Sequence, residues 1–202
     1  MRITKEQAGQ NRKRVVDAAA ERFRRKGFDN VPVADLMRAA GLTHGGFYNH
    51  FASKADLEAE ACAAAFEPGL AKLDRLATMP PGSERAEALE GHLRNYLTID
   101  ARDAAGPRCP MVAFATDVSR QDTPVQAAFA TSLRRYIDAF ASAVHGEAAP
   151  SAEARADAIF RLSAMVGALT LARGVARPDE KLSDEILAAA ADGLASPARG
   201  EG

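Results

Sequence analysis

The spacing of apolar residues constrains the fold of this chain more than any other feature. One segment carries them at helical intervals, as Leu89, Leu93, Tyr96 and Leu97. A later segment repeats the pattern with Phe129, Leu133, Tyr136, Ile137 and Phe140. No segment alternates convincingly as a strand does, and aromatic residues make up only 6% of the chain. The pattern predicts an all-α protein of about nine helices.

Cap and breaker residues divide this pattern into separate helices. Thr4 and Gln7 form a capping box for the first helix, and Gly27 is placed to end it in a left-handed conformation. Pro32 suits the first turn of a short second helix, which Gly41 stops. A third helix is expected over residues 43–51. The later helices are expected to start at the cap residues Ser53, Ser83, Thr123, Ser151 and Ser183.

The charge is distributed unevenly along the chain. Up to Lys54 there are 11 Lys and Arg against 5 Asp and Glu, whereas the remainder carries 15 against 22. A basic head on an acidic body is typical of a nucleic-acid-binding module joined to another module. Clustering of solvated charges on one helix would give the same numbers. We predict domains over 1–54 and 55–196, followed by a disordered tail over 197–202.

Two short helices are predicted to meet across Gly41, directly after the amphipathic first helix. Residues 34–43, ADLMRAAGLT, place Leu36 and Leu42 between these helices and small alanines where they cross. This arrangement is typical of a helix-turn-helix, whose second helix enters the major groove of DNA. The pattern alone is weak, because any helical hairpin with a glycine imitates it.

A glycine pair, Gly45 and Gly46, falls inside the third helix. Each glycine costs a helix about 1 kcal/mol relative to alanine. The pair makes sense if the backbone must press closely against another surface, and a major groove is such a surface. Thr43 is expected to cap this helix, whose free N–H groups attract phosphate.

Residues 41–54, GLTHGGFYNHFASK, resemble the signature of the TetR family of transcriptional regulators at every motif position. The resemblance covers residues 10–60 in detail; beyond them only the helical plan and the length agree. It implies an N-terminal three-helix DNA-binding domain and a helical ligand-binding and dimerisation domain. The expected protein is a homodimeric repressor released from a palindromic operator by an unidentified small-molecule effector. The alternative is a DNA-associated activator or architectural protein without an effector.

The resemblance also implies roles for individual side chains. Those expected to contact phosphate or the groove are Thr43, Tyr48, His50 and Lys54. His44 and Asn49 occupy variable positions that can reach base edges, and an asparagine can pair with adenine. Phe47 and Phe51 are interpreted as core residues.

One departure from the family concerns the start of the second helix. Family members commonly carry Ser or Thr there, whereas Val31-Pro32-Val33 supplies no hydroxyl for a phosphate contact. Basic residues near the N-terminus are candidates to contact the DNA backbone instead: Arg2, Arg12, Lys13 and Arg14.

The body of the chain is expected to hold an effector pocket and a dimer interface. Candidates for an apolar pocket lining are Leu93, Tyr96, Met111, Phe114, Phe129, Leu133 and Tyr136. The same residues would equally fill a dry core. The resemblance implies that the last two helices form the homodimer. Gly167 and neighbouring alanines allow close approach across a two-fold axis, but alanine-rich internal packing would look the same. Cys109, beside Arg108, is either a reactive thiol or an inert apolar residue.

Other classes of protein find little support in the residues. No nucleophile elbow, phosphate loop or dinucleotide fingerprint is present, so an enzyme is not expected. His92, Tyr96 and Asp100 are interpreted as solvated helix-face residues. His44 and His50 lack the spacing and partners of a metal site, and no cofactor is expected. With two cysteines and no apolar run of membrane length, we expect a cytoplasmic protein without a membrane segment.

Overall fold

Residues 4–195 of the computed structural model are described, and their regular structure is entirely helical, which confirms the predicted fold class. The tail predicted over 197–202 and Arg2 lie outside these residues. The elements are α1 (Lys5–Lys26), α2 (Val33–Ala39), a 3₁₀ helix (His44–Asn49, the motif helix), α3 (Lys54–Thr78), α4 (Ser83–Tyr96), α5 (Ile99–Asp103), α6 (Pro110–Phe114), a second 3₁₀ helix (Val118–Arg120), α7 (Thr123–His145), α8 (Ala152–Val175) and α9 (Glu180–Ala195).

Three of the predicted N-caps are confirmed. The Oγ1 of Thr4 accepts from Gln7 N at 3.2 Å. Ser53 and Ser151 accept in the same way, each from the backbone N–H three residues on, at 3.1 Å. Gly27 ends α1 with a positive φ of 77°, but its ψ of 169° is extended rather than left-handed helical.

Three other cap predictions are wrong. Ser83 and Thr123 are the first residues of their helices rather than caps. Helix α9 begins three residues before Ser183, where Asp179 Oδ1 accepts from Leu182 N at 3.0 Å. A carboxylate at this position also suits the positive end of the helix dipole.

The chain folds into two compact units, and each unit is built from two separate segments of the sequence. The first contains the described residues up to Pro68 together with Arg108–Leu133, and the second contains Gly69–Pro107 and the residues from Arg134 onward. The predicted domain border after Lys54 therefore falls inside the first unit. Both α3 and α7 contribute residues to each unit.

In the first unit, the segment after Arg108 supports the N-terminal helices. Phe114 of α6 is fully buried, with its ring centroid 4.8 Å from that of Phe28. Phe28 in turn lies 5.2 Å from Phe23 of α1. Asp117 Oδ2 accepts from Phe28 N at 3.1 Å, which satisfies a backbone donor in the bend after α1. A distant part of the sequence thus holds the corner between α1 and α2.

In the second unit, buried polar side chains connect α5 to α8 and α9. The Arg102 guanidinium is 5% exposed and donates to Ser183 Oγ at 3.1 Å and to Asp184 Oδ1 at 2.7 Å. Ser183 donates onward to Ala172 O at 3.0 Å. Arg173 donates to the carbonyls of Ala101 and Ala104, both at 3.1 Å. Ser183 is therefore a buried bridge between helices.

Candidate nucleic-acid interface

The turn between α2 and the motif helix is built as the sequence predicts. Gly41 has a φ of 73°, a conformation that only glycine adopts without strain, and its N–H donates to Arg38 O at 3.0 Å. Leu42 N donates to Met37 O at 2.9 Å. Leu36 and Met37 are fully buried and pack the turn onto the unit. The motif helix therefore leaves the turn in a defined direction.

Two buried phenylalanines hold the motif helix in place. Phe47 is 2% exposed and Phe51 is 3% exposed, and their rings stack with centroids 5.5 Å apart. This confirms their interpretation as core residues. Tyr48 meets Phe47 edge-on at 5.2 Å but remains 77% exposed. The other exposed residues on this surface are Thr43, His44, Gly45 and Asn49, while His50 is half-buried.

The motif helix differs from its prediction in two respects. It is a 3₁₀ helix of six residues rather than an α-helix over residues 43–51, as the low helix propensity of its glycine pair favours. Thr43 does not cap it with its side chain; its carbonyl accepts from Gly46 N at 3.0 Å instead. The Thr43 hydroxyl is thus left for an external partner.

Gly45 leaves an open surface on this helix. A Cβ built there would meet no atom within 4 Å, whereas one at Gly46 would lie 3.8 Å from Met37 Cε. Packing inside the chain does not require glycine at position 45. Its absent side chain exposes backbone to whatever approaches from outside.

Arg12 of α1 fixes the end of the motif helix. Its Nε donates to His50 O at 3.2 Å, and its guanidinium lies 4.5 Å from the centroid of the Phe51 ring. The two terminal nitrogens form a bidentate pair with Glu60 of α3. The hydrogen bond to Glu60 is the main reason that the pKa of Arg12 is raised. Arg12 is therefore engaged within the chain, although 40% of its side chain stays exposed, and its part in a DNA-contacting arm remains a prediction.

Lys54 is also engaged within the chain. Its Nζ donates to Phe28 O at 3.0 Å and pairs with Glu58 Oε1 at 3.0 Å. Glu58 is buried, so desolvation raises its pKa, and the Lys54 ammonium opposes that rise. Lys54 side-chain exposure is 35%, which leaves only part of it for a phosphate.

Two arginines lie beside the Gly41 turn. Sequence reasoning gave Arg38 no role and placed Arg14 only among the basic residues near the N-terminus. Arg38 ends α2 with 80% of its side chain exposed, near Asp35 at 3.4 Å. Arg14 is exposed, and its guanidinium lies next to Gly41 while hydrogen-bonded to Asn11 at 2.6 Å. Arg38 lies beside the turn because it is three residues from Gly41 in the sequence, whereas Arg14 is brought there by the packing of α1 on α2, which spacing alone does not reveal.

The predicted pocket residues divide between the two units. In the first unit, Met111 and Phe114 are buried core residues, and the ring of Phe129 lies 5.7 Å from that of Phe66. Leu133 also belongs to this unit and is half-buried.

In the second unit, Tyr136 is buried with its ring against Gly69. Tyr96 is half-buried, and Leu93 borders a cavity of about 260 Å³ between α4 and α9. The prediction that these residues share a pocket with those of the first unit remains a prediction. The ring nitrogens of His92 are inaccessible to solvent and find no hydrogen-bond partner among residues 4–195, so its interpretation as a solvated helix-face residue is wrong.

Neither cysteine lies on an open surface. Cys109 is 8% exposed at the N-terminal end of α6, and Cys62 is fully buried in α3. Burial raises the pKa of the Cys62 thiol to about 12, which makes it unreactive at neutral pH. Between residues 4 and 195, no group of three His, Cys, Asp or Glu side chains is placed to hold a metal ion.

Helix α8 is the one described helix long and apolar enough to cross a membrane by length and composition. The core helix of a globular protein passes the same test, so this observation is weak.

Comparison with known proteins agrees with this geometry. Residues 15–61 match the family model described as bacterial regulatory proteins, tetR family. The match covers α1, α2, the motif helix and the start of α3. Over these residues the chain is similar to the N-terminal domain of TetR-family regulators.

Relatives and solved structures share different parts of this chain. The HTH-type transcriptional regulator YfiR of Bacillus subtilis is 30% identical over 113 residues, which are 54% of this chain and 52% of that protein. The HTH-type transcriptional regulator TtgR of Pseudomonas putida is 39% identical over 57 residues, 28% of this chain and 27% of that one. The chain thus spans about half, or less, of the length of these relatives.

Similarity to solved structures extends over nearly the whole chain. The reduced form of Escherichia coli NemR matches with a TM-score of 0.74 and 19% identity, over 93% of this chain and 98% of that chain. A TetR transcriptional regulator from Legionella pneumophila matches with a TM-score of 0.69 and 18% identity, over 89% and 95%. At such identities the similarity concerns the fold alone.

Proposed function

We propose that this protein is a TetR-family transcriptional regulator that reads operator DNA with the motif helix. One observation carries the proposal: Tyr48, His44 and Asn49 project from a helix whose other side is anchored by two buried phenylalanines. Because the helix that carries Tyr48 is already held in place, ordering the tyrosine side chain on DNA binding costs little conformational entropy. The basic charge of the surrounding sequence favours a polyanionic partner.

The side chains of this surface suit different parts of a DNA groove. Tyr48 and the Thr43 hydroxyl are placed to donate to phosphates, which position a protein without reading sequence. His44 and Asn49 are placed to reach base edges. The bare backbone at Gly45 allows close approach. We assign Lys54 a lesser part, because its ammonium already has two partners.

We further propose that the protein acts as a homodimer through α8 and α9. Large apolar side chains remain exposed on these helices, with Phe160 at 70%, Leu171 at 61% and Leu182 at 41%. Phe160, Gly167 and Leu171 recur at helical spacing on one face of α8. A two-fold dimer would bury this face and explain the apolar character of α8. It would also present two motif helices to an inverted repeat.

Repression with release by a small-molecule effector is the regulatory mode that we propose. Its support is the family resemblance and the apolar candidates of the body, notably Leu93, Tyr96 and Tyr136. An effector acts only by binding one of two conformations more tightly. The proposal that Cys109 senses electrophiles is the weaker one, because the thiol is buried. Cys109→Ser should leave derepression by an electrophile unchanged if the thiol is only structural.

Selection from random duplex DNA tests the central proposal. The full-length protein should enrich an inverted repeat, and its affinity should fall steeply with salt concentration. An activator or architectural protein without sequence preference would enrich no motif. Failure to bind any duplex at low salt would overturn the proposal.

Single substitutions test the roles assigned to the exposed side chains. Tyr48→Ala should weaken binding to all duplexes alike, whereas Asn49→Ala should lower the preference at one base pair, by about 1–3 kcal/mol. Ile99→Ala is a matched control, since Ile99 is a large exposed side chain on α5 in the second unit. Equal effects of Tyr48→Ala and Ile99→Ala would contradict the assignment.

A further inference from the structure

An open groove with a volume of about 360 Å³ lies between α1 and α2 of the first unit. It is lined by Arg22 of α1 and by Asp35, Arg38 and Ala39 of α2. Ala39 is exposed and its short side chain leaves the groove open. Two arginines and one carboxylate give the groove a positive charge, which favours an anionic partner.

Arg22 is a half-buried arginine whose side chain has no acceptor within the described residues, 4–195. A guanidinium carries five N–H donors and is always charged, so it pairs with an anion wherever one is within reach. The next two arginines of α1 do have partners. Arg24 donates to Ala20 O at 3.2 Å, and Arg25 lies 3.6 Å from Glu21 Oε1. The donors of Arg22 are therefore left for an external anion.

Arg38 lines the same groove from α2. Its side chain is 80% exposed, and its one acidic partner among the described residues is Asp35, at 3.4 Å. An exposed ion pair of this kind is weak, so another anion can replace Asp35 as the partner of Arg38 at little cost. The planar guanidinium can also bind two oxygens of one phosphate in parallel.

The groove lies next to the turn that leads into the motif helix. The carbonyl of Arg38 accepts from Gly41 N at 3.0 Å. On the α1 side, Arg14 Nη1 lies 3.9 Å from the position of a Cβ built at Gly41. Arg14, Arg38 and Arg22 therefore follow one another from the turn along the seam between α1 and α2. In a helix-turn-helix, the helix before the recognition helix crosses the DNA backbone.

We propose that this groove binds a backbone phosphate of the operator, beside the base pairs that the motif helix reads. Arg22 and Arg38 donate to the phosphate oxygens, and Arg14 contacts the backbone beside Gly41. A duplex fits better than a free anion, because three arginines in a row match the repeated charges of a DNA strand. The site rests on the DNA-binding function proposed above. It holds the protein on the duplex and reads no base.

Fluorescence anisotropy of the full-length protein on the selected inverted repeat, at several salt concentrations, tests the two arginines. Arg22→Met and Arg38→Met should each weaken binding to every duplex about tenfold, because a charge-assisted contact is lost. Each should also reduce the slope of log affinity against log salt by about one. Arg22→Lys keeps the charge and should keep the slope, even if the methionine variant folds poorly.

Two further variants separate a phosphate contact from a loss of structure or of net charge. Arg25→Met is the matched control, because Arg25 is an arginine of the same helix that does not line the groove. It should leave the slope unchanged. Asp35→Asn should strengthen binding about twofold to fivefold, since its carboxylate no longer competes with the phosphate for Arg38. Damage to the fold would weaken binding instead.

Single neutral methylphosphonates placed along the duplex backbone identify the phosphate. One position in each half-site should weaken binding by the wild-type protein and have little effect on Arg38→Met, because both changes remove the same contact. Arg25→Met should lose affinity at that position as the wild-type protein does.

The outcomes distinguish failure of this site from failure of the proposed function. Specific, salt-dependent binding by the wild-type protein, with equal slopes for Arg22→Met, Arg38→Met and Arg25→Met, would refute the phosphate site alone. Absence of any methylphosphonate position coupled to Arg38 would do the same. A wild-type protein that binds no duplex at low salt would refute both the regulator function and the phosphate site.

Discussion

At the residue scale, the candidate interface depends on side chains that are engaged within the chain. Arg12 holds His50 O, Phe51 and Glu60 together, so α1 and α3 both determine where the motif helix ends. Composition and spacing identified Arg12 only as one basic residue in a basic segment. They could not show that its partner lies 48 positions away, because that contact depends on how α1 packs against α3.

Loss of the Arg12–Glu60 pair should weaken DNA binding because the motif helix is no longer held in place, and not because the charge of the interface changes. Glu60→Gln removes a negative charge from a DNA-binding unit, yet we expect its affinity to fall about threefold to fivefold, as for a partly exposed ion pair. Arg12→Met should behave likewise, with the slope of affinity against salt unchanged. Fluorescence anisotropy at several salt concentrations measures both quantities. A slope reduced by about one in Arg12→Met would show a lost phosphate contact and contradict this role.

The lowered pKa of His92 predicts a pH dependence of stability. The unfolded chain protonates His92 near its ordinary pKa of 6.5, whereas the folded chain does so only at about 4. The stability gained from keeping this ring neutral is therefore present above pH 6.5 and lost as the pH falls toward 4. The loss should be about 1–3 kcal/mol, allowing for partial solvent access.

Urea unfolding of the ligand-free protein between pH 4 and pH 7 measures this loss. The free energy of unfolding of His92→Gln should depend less steeply on pH over that range. Equal pH dependence of the variant and the wild-type protein would show that His92 titrates normally.

At the element scale, the helix bounds were largely predictable, whereas helix type and helix partners were not. The confirmed caps at Thr4, Ser53 and Ser151 act within one helical turn, so local sequence determines them. The prediction of Ser183 as an N-cap was wrong because the sequence does not distinguish a serine at a helix start from a serine buried between helices. The motif helix is 3₁₀ because its two glycines weaken the α-helix, while Phe47 within it and Phe51 after it anchor it to the core.

Gly69 in α3 shows how packing limits a helix position. A Cβ at this residue would lie 2.8 Å from Cε2 of the buried Tyr136 ring, whereas at Gly91 of α4 it would meet no atom within 4 Å. Gly69→Ala should therefore destabilise the fold by about 1–3 kcal/mol through overpacking. Gly91→Ala, the matched control, should be neutral or stabilise by about 0.5–1 kcal/mol through helix propensity. Thermal unfolding compares the two, and a stable Gly69→Ala variant would mean that the ring moves freely.

At the scale of the whole molecule, an apolar surface on α8 should determine the oligomeric state. Phe160→Glu places a charge in the proposed interface and should convert the dimer to a monomer, since an unpaired buried charge costs several kcal/mol. Ile99→Glu, an exposed apolar residue on α5, should leave the dimer intact. Light scattering coupled to gel filtration measures the mass. A Phe160→Glu variant that remains dimeric would place the interface elsewhere.

The sequence by itself determined the helical class, most helix bounds, the Gly41 turn and the similarity of residues 15–61 to TetR regulators. These follow from local signals: apolar spacing, caps, and a contiguous motif whose residues act within a few turns of each other. Only the tertiary structure decided that Arg108–Leu133 supports the N-terminal helices, that Arg12 and Lys54 bond to partners within the chain, and that the His92 nitrogens are buried. Those outcomes depend on contacts between residues far apart in the chain, for which spacing carries no signal.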